Sequence, residues 1–517
     1  MKPSLDWFAL SPVLALLGAS GIALLAAVLV PPRVRKPFAA AVAGLGFAGS
    51  LGAAVLVYVY SPEGESIIGA AVRRDRFAAV AQIIVAGTGL IAAAIAYGER
   101  RERRSPGEPP GSPGTPSTGP LTRTGGSTAE HEAEFYALLA AAGAGMVFLV
   151  TADNLMTLFL GLEWFSIALY ILCAIDVDVA GSLEAGLKYL IIGSFGSAAL
   201  LFGSALVYGA TGELGFAEIA RAVGAQGLED DALLLTGLAM MLAGLGFKAS
   251  AAPFHMWTPD VYEGAPTPVT AFMAAATKAV ALLLTLRVLV TAFPEQSELW
   301  TVALAVIACV SLAIGNFAAL VQRDVKRLLA YSSVSHAGFM LIPVAVNSEP
   351  GSRALLFYLV PYCAMSLGAF AVVAAREREL GRAVTLENLA GFGWERPLLG
   401  IALWVFMLGF AGFPLTGGFW GKFLAFSAAQ EAGWTWLVIV GVAATLVSLP
   451  YYLAVVRALY MRSGAELQLL PAGGSPPRES LLQVAVLACL AITVGSFFAV
   501  EPIVDLAREA AQALPLD

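Results

Sequence analysis

Long apolar runs constrain the fold of this chain more than any other feature. A helix of about 20 residues spans the hydrocarbon of a bilayer, and these runs are too long for the alternating strands of an outer-membrane barrel. Hydrophobic residues make up 58% of the chain and charged residues 13%, about half the charged share of a soluble domain. The sequence therefore predicts an all-α polytopic membrane protein with about 14 transmembrane helices. The runs cover residues 8–30, 38–60, 77–97, 135–151, 153–175, 185–210, 232–258, 266–292, 299–321, 325–346, 353–375, 399–429, 433–460 and 480–500.

Positive charge is distributed unevenly between the loops. If both termini are extracytoplasmic, the cytoplasmic loops hold eighteen of the thirty Lys and Arg residues, the opposite loops hold seven, and the spans hold five. The positive-inside rule favours this orientation and an even number of helices. Lys2 and Asp6 precede the first span, whereas the basic segment 33–36 follows it. This order predicts an uncleaved helix rather than a signal peptide.

A low-complexity segment divides the chain. Between residues 105 and 129, 21 of 25 residues are Gly, Pro, Ser or Thr, a composition that buries too little apolar surface to order itself. We expect a cytoplasmic loop over residues 99–134, preceded by three transmembrane helices in residues 1–98. A connecting loop and the last transmembrane helix are expected in residues 461–517.

The intervening ten spans form two sets of five, in residues 135–292 and 299–460. Five is an odd number, so the sets enter the membrane from opposite faces, which is the layout of an inverted repeat of helices 4–8 and 9–13. Helices 7 and 12 are the fourth of each set, and glycines and prolines interrupt both, beside Lys248 and Lys422. Unwound backbone at this depth must face protein or water, so the two broken helices predict a transport site.

Five ionisable residues within the spans are candidate site residues. Each costs about 2.5–3.5 kcal/mol at mid-bilayer unless it is paired or lines a wet cavity, so together they indicate a path for a charged species. They are Glu163, Lys188, Lys248, Lys278 and Lys422.

Each of these residues also has a purely structural interpretation. Glu163 and Lys248 could form a static salt bridge, and Lys188 lies one helical turn after Glu184, as in a common helix-stabilising pair. Lys278 has no acid nearby in the sequence and is the hardest to explain as architecture.

Two histidines could extend a water-linked chain. Imidazole titrates near neutrality, which suits His255 and His336 to proton transfer, although a lone buried histidine is more often only hydrogen-bonded.

The sequence predicts no cofactor or metal site in this chain. Cys173, Cys309, Cys363 and Cys489 are isolated in apolar runs and are interpreted as small buried hydrophobes. No nucleotide-binding glycine motif and no clustered histidine ligand set is present in the sequence. We therefore expect no nucleotide, flavin, iron–sulfur or zinc site, and no nucleic-acid partner.

One long motif carries a family resemblance. Residues 246–269 read GFKASAAPFHMWTPDVYEGAPTPV and resemble the signature of the antiporter-like subunits of respiratory complex I, the proton-translocating NADH–quinone oxidoreductase. The segment WTPDVYEGAPTP is similar to the subunit N branch in particular. Further similar segments are GLE at 161–163, EAGLKY at 184–189, KRLLAYSSVSHAG at 326–338 and GFPLTGGFWGKF at 412–423.

The resemblance implies a role for each candidate residue. It implies that Glu163 and Lys248 form the ion pair of the first half-channel, with Lys188 as an accessory lysine that modulates Lys248. Lys278 would be the central relay lysine and Lys422 the terminal relay residue. Proton movement would be driven by electron transfer to quinone on partner subunits of this translocase.

The resemblance also implies partners and a location. FMN, the iron–sulfur clusters and the quinone site are expected on partner subunits, and this chain is expected to hold no redox centre. We expect a hetero-oligomer with other membrane subunits of complex I, including further antiporter-like subunits. The location implied is the bacterial inner membrane, with direct contact to lipid.

Other functions remain possible at this stage. The nearest alternative is an Mrp-type cation/proton antiporter subunit or a membrane-bound hydrogenase subunit of the same superfamily. It is disfavoured by Lys422, where subunit M has glutamate, and by only about seventeen residues after the last span, where subunit L adds a lateral helix. A membrane scaffold would not explain the unpaired Lys278, and a carrier for an organic solute would need a polar cluster that is not evident.

Overall fold

The computed structural model describes residues 6–61, 64–98, 131–461 and 479–516. Within these ranges the chain is a bundle of α-helices with one π-helical turn and one small hairpin. Residues 99–130 of the predicted loop, and residues 462–478 of the connecting loop before the last transmembrane helix, lie outside the described residues. A helix begins at Glu132, so the predicted loop ends before residue 134, where it was expected to end. The elements are α1 (Trp7–Leu29), α2 (Pro32–Tyr60), β1 (Glu65–Ile67), β2 (Val72–Arg74), α3 (Arg76–Tyr97), α4 (Glu132–Leu149), α5 (Leu155–Cys173), α6 (Ala180–Thr211), α7 (Phe216–Gln226), α8 (Ala232–Lys248), α9 (Trp257–Gly264), α10 (Thr267–Phe272), the π-helical turn (Met273–Thr277), α11 (Lys278–Ala292), α12 (Ser297–Leu320), α13 (Val325–Ala345), α14 (Glu349–Leu380), α15 (Phe392–Glu395), α16 (Pro397–Ala411), α17 (Gly417–Glu431), α18 (Thr435–Met461), α19 (Ser480–Phe498) and α20 (Val500–Ala511).

Short polar side chains fix where several helices begin. Asp75 accepts a hydrogen bond from the Ala78 amide at 2.7 Å at the start of α3, and Asn154 accepts one from the Thr157 amide at 2.7 Å at the start of α5. Each cap satisfies an amide that has no partner within its own helix. In the described residues, twelve helices are long and apolar enough to cross a membrane.

Both predicted breaks are present in the structure. The helix carrying Lys248 ends at that residue and resumes as α9, and α16 ends at Ala411 before α17 begins. Counting each broken pair as one crossing would bring the twelve long helices to fourteen, and this count stays a prediction.

The third helices of the two predicted sets, α6 and α14, have the same length and pack against corresponding broken helices. Both α6 and α14 are 32 residues long. Helix α6 packs against α8 and α9, and α14 packs against α16 and α17. The two broken pairs therefore occupy corresponding places beside a long helix, and the inverted relation of the two sets remains a prediction.

The centre of the bundle is formed by the segment from α10 to α11 together with α13 and α14. In the segment 267–292, every residue of the most apolar 18-residue stretch is buried. In α13 and in α14, 94% of the corresponding stretch is buried. The outer helices α2, α6 and α12 bury less than half of the corresponding stretch. They expose large apolar side chains such as Leu45, Phe195 and Phe317. Lys278 and His336 thus lie on the helices most shielded from the surroundings.

Segments that were predicted to share one side of the membrane meet at the same end of the bundle. At one end Asp6 pairs with Arg74 of the hairpin, and Arg76 pairs with Glu509 of α20. The first and last described segments therefore lie at the same end. The hairpin, α7, α15 and α20 were not predicted, because they are short or lie outside the long apolar runs.

Candidate functional site

The first break places a lysine at the end of a helix in the protein interior. Lys248 is the last residue of α8 and is 3% exposed. Beyond it the backbone turns through Ser250, at φ 58°, before α9 begins. Trp257 at the start of α9 donates from Nε1 to the Phe247 carbonyl at 3.2 Å, and this carbonyl also accepts from the Ser250 amide at 3.0 Å, so the indole ties α9 to the end of α8.

The structure differs from the predicted Glu163–Lys248 ion pair. Lys248 Nζ donates to Ser166 Oγ at 2.7 Å, whereas Ser197 Oγ donates to Glu163 Oε1. No direct ion pair joins Glu163 and Lys248 among the salt bridges of the described residues. The physical reason is that each charged group has a closer neutral hydroxyl, on α5 for the lysine and on α6 for the glutamate.

An aromatic cage completes the surroundings of Lys248. Its Nζ lies 5.3 Å from the ring centre of Phe165, 5.6 Å from Tyr170, 5.5 Å from Tyr189 and 5.5 Å from Phe247. Ring faces attract a cation within about 6 Å, so the cage stabilises an ammonium group that has no carboxylate within ion-pair distance among the described residues.

Lys188 belongs to a separate charged cluster. Its Nζ lies 2.7 Å from Glu184, the pair expected from their spacing, and 2.7 Å from Asp260. Asp260 also accepts from Arg327 Nη1 at 2.8 Å, and Arg327 reaches Glu263 at 2.8 Å. The Lys188 side chain is 39% exposed and makes no hydrogen bond to Lys248, so any influence on Lys248 would act without contact.

Lys278 occupies the centre and is bound only by neutral oxygen atoms. It is 1% exposed, directly follows the π-helical turn, and donates to the carbonyl oxygen of Ser333 and to its Oγ at 2.6 Å. The Tyr362 hydroxyl lies 2.9 Å from the same Oγ. No salt bridge involves Lys278 among the described residues. π-helical turns occur frequently at functional sites.

His336 lies between two tyrosine hydroxyl groups. Its Nδ1 lies 3.1 Å from the Tyr358 hydroxyl and its Nε2 lies 3.1 Å from the Tyr452 hydroxyl, which is 2.6 Å from Ser332 Oγ. The imidazole also packs against the Tyr362 ring at 5.3 Å. His336 is therefore adjacent to the hydroxyl groups around Lys278.

Lys422 lies at the second break. Its Nζ donates to the carbonyl of Ala411, the last residue of α16, at 3.2 Å and lies 4.3 Å from the Phe339 ring centre. Phe410 packs against His336 at 5.2 Å between ring centres. The second broken helix thus brings Lys422 close to the His336 cluster.

His255 is not part of either cluster. It lies half-buried in the segment between α8 and α9, next to the exposed Met256, and makes no hydrogen bond to the ionisable residues described above. Its predicted role in a water-linked chain therefore has no contact to support it.

Much of this chain is similar in sequence to proteins of a known family. Residues 152–448 match the family described as NADH:quinone oxidoreductase/Mrp antiporter, TM. NADH-quinone oxidoreductase subunit N from Trichlorobacter lovleyi is 45% identical over 333 residues, which cover 64% of this chain and 68% of that protein. Subunit N from Rhodospirillum rubrum is 40% identical over 386 residues, which cover 74% of this chain and 77% of that protein. The chain belongs to the NADH-quinone oxidoreductase subunit N family.

Solved structures share the fold of this chain. A chain of respiratory complex I from Thermus thermophilus, solved with bound aureothin, superposes with a TM-score of 0.75 at 32% identity, covering 96% of this chain and 99% of that chain. A chain of the Mrp complex from Dietzia sp. DQ12-45-1b has a TM-score of 0.81 at 20% identity, covering 98% and 97%. At that identity the second match demonstrates a shared fold alone.

The polar partners of the lysines in this subunit N family member were missed at the sequence level. Tyrosines and serines within apolar runs look like ordinary core residues, so no pattern marked Tyr170, Tyr358, Tyr362 or Tyr452. Other polar residues lay within segments already recognised as motifs but were given no role there, namely Ser250, Asp260, Tyr262, Ser332 and Ser333. Within the described part of the chain, no group of three or more His, Cys, Asp or Glu residues could hold a metal ion.

Proposed function

We propose that this chain is a membrane subunit of a bacterial NADH-quinone oxidoreductase and that it translocates protons along a buried relay. The relay runs from Glu163 and Lys248 through Lys278 to Lys422, with Lys188 as an accessory group. Electron transfer to quinone on partner subunits drives the movement. The family membership, the three buried lysines and the half-buried Glu163 support this proposal.

The surroundings of Lys278 carry the proposal. A permanent ammonium group in a dry interior costs several kcal/mol unless a counter-charge compensates it, and Lys278 has only the oxygens of Ser333. Such a group is suited to holding a proton transiently, because neither protonation state is locked by a partner. A lysine whose purpose was to brace the bundle would be expected to have a carboxylate beside it.

Polar groups extend from Lys278 toward Lys422. Ser333 contacts Tyr362, the Tyr362 ring packs against His336, and His336 packs against Phe410, which precedes the carbonyl that binds Lys422. Imidazole and hydroxyl groups can both accept and donate a proton. This arrangement supports a relay toward Lys422 through His336, with water completing the gaps between ring contacts.

We place the redox chemistry on other subunits. FMN, the iron–sulfur clusters and the quinone site are assigned to partners in a hetero-oligomer that includes further antiporter-like subunits. The chain is assigned to the inner membrane with both termini extracytoplasmic, because the loops on the cytoplasmic side then hold eighteen of its thirty Lys and Arg residues.

The decisive test is Lys278→Ala in the complete complex. We expect normal assembly, because the substitution removes an unpaired buried ammonium rather than leaving a charge uncompensated. Proton uptake into vesicles per electron transferred should fall, by on the order of tenfold or more in the affected step. The measurement is NADH-driven ΔpH in vesicles that hold equal amounts of assembled complex.

Lys36→Ala is the matched control. Lys36 pairs with Glu132 at 3.3 Å, away from the relay residues, and its removal should leave ΔpH formation unchanged. Wild-type proton uptake per electron in Lys278→Ala would exclude Lys278 from the relay.

A further inference from the structure

Two buried tyrosine hydroxyls lie between the relay groups without a protein hydrogen-bond partner. The hydroxyls of Tyr170 and Tyr262 make no hydrogen bond within the described part of the chain. The two side chains are 7% and 0% exposed. An unsatisfied buried hydroxyl costs about 1–3 kcal/mol, so each of them calls for a physical explanation.

Each of these hydroxyls is flanked by two serines. Tyr170 lies close to Ser166 and Ser197, which bind Lys248 and Glu163 respectively. The tyrosine hydroxyl therefore lies between the two groups that were expected to form a direct ion pair. Gly193 faces the Tyr170 hydroxyl, and a Cβ atom at that position would fall 2.4 Å from it, so only a glycine leaves room there.

Tyr262 has the same kind of surroundings between Lys248 and Lys278. Its hydroxyl lies close to Ser250 and Ser333 without hydrogen-bond geometry to either. Ser250 follows Lys248 by two residues, and Ser333 binds Lys278. The ring is held in place by edge contacts with Trp257 and Phe370, each with ring centres 6.1 Å apart.

A water molecule at such a place would have enough partners to be ordered. Buried waters typically make roughly three hydrogen bonds, and Tyr262, Ser250 and Ser333 offer three hydroxyl groups around one point. Tyr170, Ser166 and Ser197 offer the same set around another. The same arrangement occurs between Glu163 and Lys248 and again between Lys248 and Lys278, and packing alone does not explain this repetition.

We propose that Tyr170 and Tyr262 are neutral proton carriers, with one bridging Glu163 and Lys248 and the other bridging Lys248 and Lys278 through ordered water. This inference rests on the proposed proton translocation. In the transfer step, a protonated relay group gives a proton to the water beside it, and this water passes one of its protons to the tyrosine oxygen. The hydroxyl proton of the tyrosine passes to water on the other side, which gives a proton to the next relay group, so both waters remain neutral. One proton moves, no electron moves, and the tyrosine remains neutral at the end.

The substitution Tyr262→Phe tests this proposal, because it removes a single oxygen atom and keeps the ring. We expect assembly at wild-type levels, since the hydroxyl has no protein partner to lose. The rate of NADH-driven proton uptake per assembled complex should fall by about tenfold or more, because a positioned proton-transfer group contributes on the order of 10²–10⁴ in rate. Tyr170→Phe should have the same effect.

Tyr460→Phe is the matched control. Its hydroxyl also lacks a hydrogen-bond partner among the described residues, but it lies at the end of α18 against Trp394. Wild-type proton uptake in this variant and reduced uptake in the other two would support the assignment. Wild-type uptake in both Tyr262→Phe and Tyr170→Phe would overturn it.

Two further comparisons separate the possible failures. Reduced uptake in Lys278→Ala with normal uptake in both tyrosine variants contradicts the tyrosine assignment alone, whereas normal uptake in Lys278→Ala contradicts the relay itself. If either tyrosine variant fails to assemble, a high-resolution map of the wild-type complex decides. Ordered water within hydrogen-bond distance of both tyrosine hydroxyls is expected, and its absence there overturns the proposal.

Discussion

Two buried cations in this chain have opposite surroundings. Arg287 donates from Nη2 to both oxygens of Asp75, at 2.6 and 2.7 Å, and from Nη1 to the Val150 carbonyl at 3.0 Å. Lys278 is equally buried but binds only the neutral oxygens of Ser333. Because a paired charge is held in one state and an unpaired one is not, burial alone does not distinguish a brace from a relay residue. The chemical identity of the partner, a carboxylate or a neutral oxygen, distinguishes the two.

Arg287→Met should therefore behave differently from Lys278→Ala. It leaves Asp75 as an uncompensated buried carboxylate, which typically destabilises a protein by about 3–5 kcal/mol. Arg73, 3.2 Å from Asp75, offsets part of this loss. We expect less assembled complex and a lower thermal midpoint, measured in detergent extracts, with proton uptake per assembled complex little changed.

Arg221→Met serves as the comparison for Arg287. Its side chain is 73% exposed and pairs with Glu218 on the same helix, an arrangement that contributes only about 0.3–0.5 kcal/mol. Equal assembly of the two variants would contradict the brace assigned to Arg287.

At the scale of elements, the broken helices were predictable and the contacts across them were not. Glycine and proline next to Lys248 and Lys422 mark the places where helical hydrogen bonding must stop. The direct Glu163–Lys248 pair was expected because only the charged residues stand out in an apolar run. The serines that separate the pair resemble ordinary core residues, and their positions depend on how α5, α6 and α8 pack. The hairpin and α20 were missed for a different reason, since the apolar-run pattern identifies only long spans.

The second break depends on close backbone contact between α16 and α17. A Cβ atom on Gly418 would fall 1.9 Å from the Gly409 carbonyl oxygen, and backbone cannot move aside as a flexible side chain can. We expect Gly418→Ala to destabilise the chain by about 1–3 kcal/mol or more and to displace Lys422. The readouts are the thermal midpoint and ΔpH formation per assembled complex.

Gly44→Ala provides the control for this substitution. Gly44 lies within α2, and a Cβ atom there would meet no heavy atom within 4 Å. Because alanine favours a helix over glycine by roughly 0.5–1 kcal/mol, this variant should be as stable as wild type or slightly more stable. A Gly418→Ala variant with wild-type stability and activity would contradict this prediction, because it would show that α16 and α17 can move apart without loss of either property.

At the scale of the whole molecule, the loops divide between two ends of the bundle. One end holds the hairpin, α7 and α20, and the other holds pairs such as Lys36 with Glu132 and Arg378 with Glu479. The charge distribution predicts that the second end is cytoplasmic.

Cysteine labelling tests this orientation at two exposed positions of the structure. In a background with the half-buried Cys309 replaced by alanine, Ser66→Cys in the hairpin should react with a membrane-impermeant thiol reagent from outside intact cells. Glu387→Cys, between α14 and α15, should react only after the membrane is opened. The reverse pattern would contradict the proposed orientation of both termini.

The contacts of Lys278 and Asp260 bear on whether either five-helix set can exist alone. Lys278 belongs to the first set, yet the oxygens that bind it come from α13 in the second. Asp260 likewise holds Lys188 from its own set and Arg327 from the other. A fragment that ended after α11 would have a buried amine without an acceptor and a carboxylate with half its counter-charge. The first five-helix set therefore depends on the second for the partners of Lys278 and Asp260, and we expect that it does not fold as an autonomous unit.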